Sequence, residues 1–135
     1  MTSKNGPSKD ALSETTSQAI EGARSELVEV SLDIHAHPEL NYEEQHAAAL
    51  LSGTLEKHGF QVERGVGGVE TAFTATLPGG GGHGPTVAIL AEYDALPDIG
   101  HGCGHNLIAM AAIGAGLGLQ ANLDKLPGKI MVIGT

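Results

Sequence analysis

The sequence predicts an α/β fold with helices packed on a mixed, largely parallel sheet. Three observations carry that expectation. Apolar residues recur at helical spacing through the first sixty residues, the middle of the chain switches to short apolar runs with period-two alternation, and a strand, loop, helix, strand succession closes it.

Taken in order, "MTSKNGPSKDALSETTSQ" is polar and lacks the apolar core of a secretory signal, so it reads as a loose leader. Residues 1–12 are expected to be disordered, and 13–135 to form the folded part. From Ile20 onward, Ala23, Leu27, Val30 and Ile34 follow at steps of three and four, and Pro38 disfavours helix at His37. A first helix therefore ends in "HAHPEL". Asn41 offers an N-cap with Glu44 three residues on, Ala47, Leu50, Leu51 and Leu55 make the apolar stripe of a second helix, and His58-Gly59 closes it. "FQVERGV" and "TAFTATL" read as strands, and "TVAILAEY" as a central strand because its apolar run is unbroken. The glycine-rich "PGGGGHG" between them matches a dinucleotide-binding spacing at Gly79, Gly81 and Gly84, but it precedes a strand where that mechanism needs a helix. It reads as a hairpin turn, with His83 a solvated loop residue. A helix from about Asn106 to Asn122, with Ala111, Gly114, Ala115 and Gly118 allowing close approach to a sheet, precedes the buried strand "KIMVIGT".

Composition bounds the function. The 135 residues are 41% hydrophobic and 17% charged, a globular balance, and seven basic residues against sixteen acidic ones give a formal charge of −9. Such a chain lacks the basic surface that neutralises phosphates, so nucleic acid is excluded as a partner. The longest apolar run, Leu107–Leu119, is short of the roughly 20 residues that cross a bilayer, so no membrane association is expected. A single cysteine forms no internal disulfide and suits a cytoplasmic location.

The chemistry concentrates in "AEYDALPDIGHGCGHN", which holds that cysteine, two of seven histidines and three of sixteen carboxylates. Cys103 and His105, one residue apart where a strand hands over to a helix, can turn a thiolate and an imidazole toward a common ion. Gly100, Gly102 and Gly104 free the backbone to wrap closely, Asp94 and Asp98 lie just upstream, and His101 and Asn106 can support the ligands from behind. A plainer reading makes Cys103 a small buried hydrophobe and His105 a helix cap. Two ligands are also fewer than the three that catalytic zinc takes, so a further donor must come from elsewhere, His35, His37 and His46 being candidates. A third reading makes Cys103 a nucleophile near a helix N-terminus with His101 or His105 as base, although no third orienting group is evident.

"HAHPELNYEE", "AEYDALP" and "GHGCGHN", in that order and spacing, resemble the amidohydrolase branch of the aminoacylase and carboxypeptidase metallopeptidase superfamily, peptidase family M20. The likeness runs from about Leu27 to Thr135. Within the branch the chain looks most like p-aminobenzoyl-glutamate hydrolases and dipeptidases acting on β-alanyl-lysine-like substrates. The resemblance implies the N-terminal part of a zinc-peptidase-like catalytic domain. It also implies two divalent ions, zinc, manganese or cobalt, with Cys103 and His105 as metal ligands, Asp94 orienting a ligand, and a metal-activated water attacking the amide of an N-acyl or aminobenzoyl amino acid or small dipeptide. It leaves room for a homodimer. Many relatives carry Asp where this chain has Glu92 and Asn106, which alters the charge behind the ligands. Family members continue past a strand like "KIMVIGT" into a Pro-Ala-Glu-Glu segment that holds the general base and another ligand, followed by further histidine ligands and a lid domain. The chain is thus expected to be an inert N-terminal fragment, and a non-enzymatic binding or assembly piece is the alternative.

Overall fold

A computed structural model describes residues 6–79 and 83–135. Four helices, α1 (Lys9–Gly22), α2 (Arg24–Ala36), α3 (Gln45–Lys57) and α4 (His105–Gln120), accompany four strands, β1 (Gln61–Arg64), β2 (Phe73–Pro78), β3 (Thr86–Ala91) and β4 (Lys129–Gly134). The sheet order is β1-β2-β4-β3. Strands β1 and β2, and β2 and β4, pair antiparallel, while β3 and β4 pair parallel. That last pairing needs a crossover, and α4 supplies it. The sheet is therefore mixed, as the sequence predicts, but not largely parallel: two of its three pairings are antiparallel, and only β3 with β4 is parallel.

Register places the core. Phe73, Ala75 and Leu77 sit opposite Gly134, Val132 and Ile130, and Ile89 and Ala91 sit opposite Val132 and Gly134, so these residues share one face of the sheet. Onto that face pack Ala47, Leu51 and Leu55 of α3 and Ala109, Ala112 and Ile113 of α4, with Leu27, Val30 and Ile34 of α2 joining the same cluster. Small residues permit the close packing: a Cβ on Gly116 of α4 would lie 3.1 Å from Val132, and one on Gly134 of β4 would lie 2.1 Å from the Phe73 ring.

Several expectations are corrected. Of residues 1–12, read as a loose leader, 1–5 lie outside the described residues, and the segment is helical from Lys9, where Ser8 caps the helix by accepting from the Ala11 N–H at 3.2 Å. The Asn122 amide then ties that helix to the far end of α4, donating to the Leu12 carbonyl and the Thr16 hydroxyl. What reads as one helix from Ile20 is divided at Ala23, whose backbone leaves helical geometry between α1 and α2. Asn41 does not cap α3. The Glu39 carboxylate does so from a distance, accepting from the N–H groups of His46 (2.8 Å) and Ala47 (3.0 Å), while Tyr42 takes a left-handed turn with φ 67°. The C-terminal reading holds, since His58 ends α3 and Gly59 follows at φ 90°.

Two further corrections concern the sheet. The strand "TVAILAEY", read as central, forms the edge, and the central position beside it belongs to β4. For the same reason the glycine loop is no hairpin turn: β2 and β3 are not neighbours, because β4 lies between them. Residues 80–82 of that loop, Gly81 among them, lie outside the described residues. Its flanks pin the start of β4, with the Gly79 N–H donating to the Gly128 carbonyl and the Lys129 N–H to the Pro85 carbonyl.

Candidate functional site

The site begins where β3 runs out. Beyond Ala91 the chain keeps its period-two alternation, so Tyr93 and Ala95 turn inward and are buried, while Glu92 and Asp94 turn outward and stay half-buried. Tyr93 is the anchor. Its ring stacks on Phe73 with centroids 6.1 Å apart, and its hydroxyl donates to the Thr71 carbonyl at 2.5 Å. Burial, and next the Glu44 carboxylate, push that phenol well above its ordinary pKa, so it remains a donor. Thr71 in turn donates its hydroxyl to Glu44, itself buried. The alternation and this anchor fix where Glu92 and Asp94 point.

Opposite them stands His105, the first residue of α4. Gly104 precedes it in the left-handed region at φ 85°, and the Gly104 N–H closes a turn onto the His101 carbonyl. His105 Nδ1 faces the Asp94 carboxylate at 2.6 Å and the Asp94 carbonyl at 3.0 Å. Both are acceptors, so Nδ1 carries the hydrogen. Nε2 faces the Glu92 carboxylate at 3.1 Å. A pocket of about 250 Å³ opens beside this cluster, lined by Asn41, Tyr42, Glu44, Thr71, Glu92 and Asp94 among others. Among the described residues, the only ion-pair partner of Glu92 or Asp94 is His105. The pocket is thus rich in carboxylates and poor in compensating cations.

The other predicted residues disperse. Cys103 is exposed and unpaired by disulfide, which removes its reading as a buried hydrophobe. Among the described residues it is not gathered with His105 and a further donor into a group of three ligands. His101 is buried on the other side of the loop, where its ring lies 6.3 Å from that of His35. Neither of its ring nitrogens has a hydrogen-bond partner among the described residues, so it takes no proton from Cys103 here. Burial first, and then the neighbouring His35 and His105, hold its pKa below the ordinary imidazole value. The Asn106 amide donates to the hydroxyl and carbonyl of Ser31, fastening the start of α4 to α2. Asp98 lies in the exposed turn with φ 62°. Of the proposed third ligands, His37 and His46 gather around Asp33 instead. Sequence reasoning took Glu92 only as a change of charge behind the ligands, without its contact with His105, and missed the Glu44–Thr71–Tyr93 chain. Continuing the period-two pattern of "TVAILAEYDA" by three residues would have found both carboxylates on one side.

Known proteins share this fold and sequence. No family model matches the chain. It is 36% identical over 124 residues to a p-aminobenzoyl-glutamate hydrolase polypeptide of Escherichia coli, covering 79% of this chain and 25% of that protein. To the Xaa-Arg dipeptidase of Mus musculus it is 39% identical over 137 aligned positions, covering 93% of this chain and 32% of the relative. Among solved structures, a dinuclear metal-binding peptidase of the M20 family from Bacillus subtilis superposes with a TM-score of 0.76 at 26% identity, over 84% of this chain and 35% of that one. The chain therefore spans about a quarter to a third of the length of the relatives it matches. Sequence and fold agree, and the chain is a homologue of the M20-family peptidases over that part of their length.

Proposed function

We propose that this chain is part of a metal-dependent amidohydrolase or dipeptidase that cleaves the amide bond of N-acyl or aminobenzoyl amino acids or small dipeptides. On this reading, residues 13–135 are an incomplete portion of the catalytic domain. The observation that carries it is the Asp94–His105 pair at the handover from β3 to α4, set against a carboxylate-lined pocket. The relatives' names supply the substrate class: one is a p-aminobenzoyl-glutamate hydrolase, another a dipeptidase.

Cys103, His105, Glu92 and Asp94 are donor types that divalent ions take, although among the described residues they are not drawn into one three-ligand group. By holding the hydrogen of Nδ1, Asp94 leaves Nε2 of His105, the nitrogen that faces Glu92, as the one whose lone pair can be given to an ion, the arrangement by which a carboxylate fixes the tautomer of a metal-binding histidine. Cys103 supplies an accessible thiol, and Glu92 and Asp94 supply negative charge with no lysine or arginine paired to it among the described residues. Cys103 and His105 would hold the metal, thiol and imidazole favouring zinc or cobalt and the neighbouring carboxylates admitting manganese, and His101 and Asn106 would steady the loop and helix that carry them. Bound ions of this kind acidify water and polarise an amide carbonyl. The residues of this chain position: Tyr93 and Glu44 set the carboxylates, Gly104 lets His105 turn back on them, and Ser31 holds the helix start. Glu92 and Asp94 both face His105, and the role given to them here is to orient that ring and supply charge rather than to move a proton.

The test uses the complete protein. Exhaustive chelation should abolish hydrolysis of an N-acyl amino acid or dipeptide, and zinc, manganese or cobalt should restore it. Full activity after metal removal, with loss to a thiol alkylator, would overturn this reading and favour Cys103 as a nucleophile.

A further inference from the structure

A second group of ligand-type side chains lies at the junction of α2 and α3 and shares no residue with the Asp94–His105 cluster. Asp33 and His37 are four residues apart at the end of α2, which puts them on one face of its last turn. His46 arrives from the first turn of α3. Its position there is set by the backbone, since Glu39 holds the N–H groups of His46 and Ala47. The chain thus turns through Pro38–Glu44 and brings a third donor back to the first two.

The geometry is close. His46 Nε2 bonds an Asp33 carboxylate oxygen, and His37 Nδ1 lies 3.3 Å from the same oxygen and 2.9 Å from the Asp33 carbonyl. The two imidazole rings are 4.7 Å apart between centroids and inclined at 49°. One donor atom from each of the three residues lies within 4.8 Å of the others. Ligands held at about 2.0 to 2.2 Å from a zinc ion stand about 3 to 3.5 Å from one another, so a rotamer adjustment of roughly an ångström closes the set. We propose that Asp33, His37 and His46 form a surface site for a divalent transition-metal ion, one that clips the end of α2 to the start of α3.

The chemistry of the donors selects the ion class. Two imidazoles and one carboxylate suit zinc, nickel or copper(II) rather than calcium or magnesium, which prefer oxygen ligands throughout. The side chains of Asp33, His37 and His46 are 42%, 59% and 44% exposed, so water has access to complete the coordination shell. Glu26 and Glu29 line the same groove as Asp33, Glu29 adding negative charge while Glu26 is already paired with Lys57 and His58. Binding replaces the hydrogen that His46 shares with Asp33, so uptake of the ion releases protons.

The experiment is a zinc titration, by calorimetry, of the complete protein carrying Cys103→Ser and His105→Gln, which silences the proposed catalytic ligands. Adding His46→Gln or His37→Gln to that background should weaken one zinc-binding event by at least about tenfold, or 1.4 kcal/mol. Nickel should also broaden the ring proton signals of His37 and His46 before those of His58 and His83. Circular dichroism checks that α2 and α3 persist, as expected when the Glu39 cap is untouched. Zinc binding that is unchanged by both substitutions, or no zinc bound by the background below about 1 mM, overturns the proposal. Either result leaves the chelation test above unaffected, because that test reads hydrolysis and this one does not.

Discussion

At the scale of single residues, Asp94 is the side chain on which the site turns. It is neither thiol nor imidazole, yet it decides which nitrogen of His105 is available. Asp94→Asn keeps size and one acceptor but removes the charge and lets the amide turn an N–H toward the ring. Metal affinity of the complete protein should fall about 10- to 100-fold, read by competition with a chromogenic chelator, while the folded structure is retained. An unchanged affinity would show that Asp94 does not orient His105. Cys103 and His105 were legible as candidates because residue type and spacing are local properties of the sequence. The partner of Nε2 was not. Glu92 reaches His105 only because β3 keeps its alternation past Ala91, and Tyr93 holds that alternation through a contact with Thr71, 22 residues away. Nor did spacing assign the histidines: His35 packs toward His101, whereas His37 and His46 meet at Asp33.

At the scale of elements, α2 and α3 were visible from their apolar stripes, and their junction is tuned by charge. Glu26 on α2 accepts from Lys57 and His58 at the end of α3, at 2.9 and 2.8 Å. Those two hydrogen bonds hold the Glu26 carboxyl below its ordinary value of 4.5. A carboxylate whose pKa is lower folded than unfolded contributes stability that is fully present above the unfolded value and lost as pH falls through the folded one. Stability should therefore decline below about pH 4.5 partly through this junction, and Glu26→Gln should remove that part of the decline. Because the pair is partly exposed and screened, the substitution should cost only about 0.2 to 1 kcal/mol at pH 7. Urea melts of both proteins at neutral and acid pH check this, and parallel acid profiles would refute it. Helix α1 was not visible in the same way. Its sequence, "KDALSETTSQAIEG", buries no residue fully, and its partner is the glycine at 118, where a Cβ would come within 2.8 Å of Thr16 and 3.0 Å of Ile20. A helix held by the smallness of a distant residue leaves little periodicity of its own.

At the scale of the whole molecule, the position of β3 is the feature with most consequence. The sequence reads "TVAILAEY" as a strand covered on both sides, and its composition agrees, yet β3 is the outer strand and no described strand pairs with its far edge. Val87 is 53% exposed and Leu90 58% exposed. Leu90 also shares the sheet face away from the helices with Ile133, its register partner on β4. Composition records what a strand is built to touch, whereas position records what the described residues supply, and at β3 the two differ. Each large apolar side chain left wet forgoes about 1.5 to 3 kcal/mol of burial, a sizeable part of the roughly 5 to 15 kcal/mol that holds a domain together. An unpaired edge beside such a surface recruits another strand, and in a solution of this chain alone the nearest is another β3. The 135-residue chain should therefore self-associate, its elution in size-exclusion chromatography moving to larger species as concentration rises. Leu90→Lys places a charge on the exposed face beside that edge without touching the core packed between sheet and helices, so it should shift the chain back toward monomer while the circular dichroism spectrum stays the same. A chain that elutes as a monomer at every concentration, with a sharp urea transition unchanged by Leu90→Lys, would mean that the edge is protected by its own twist and short length, and that these residues are a self-sufficient domain.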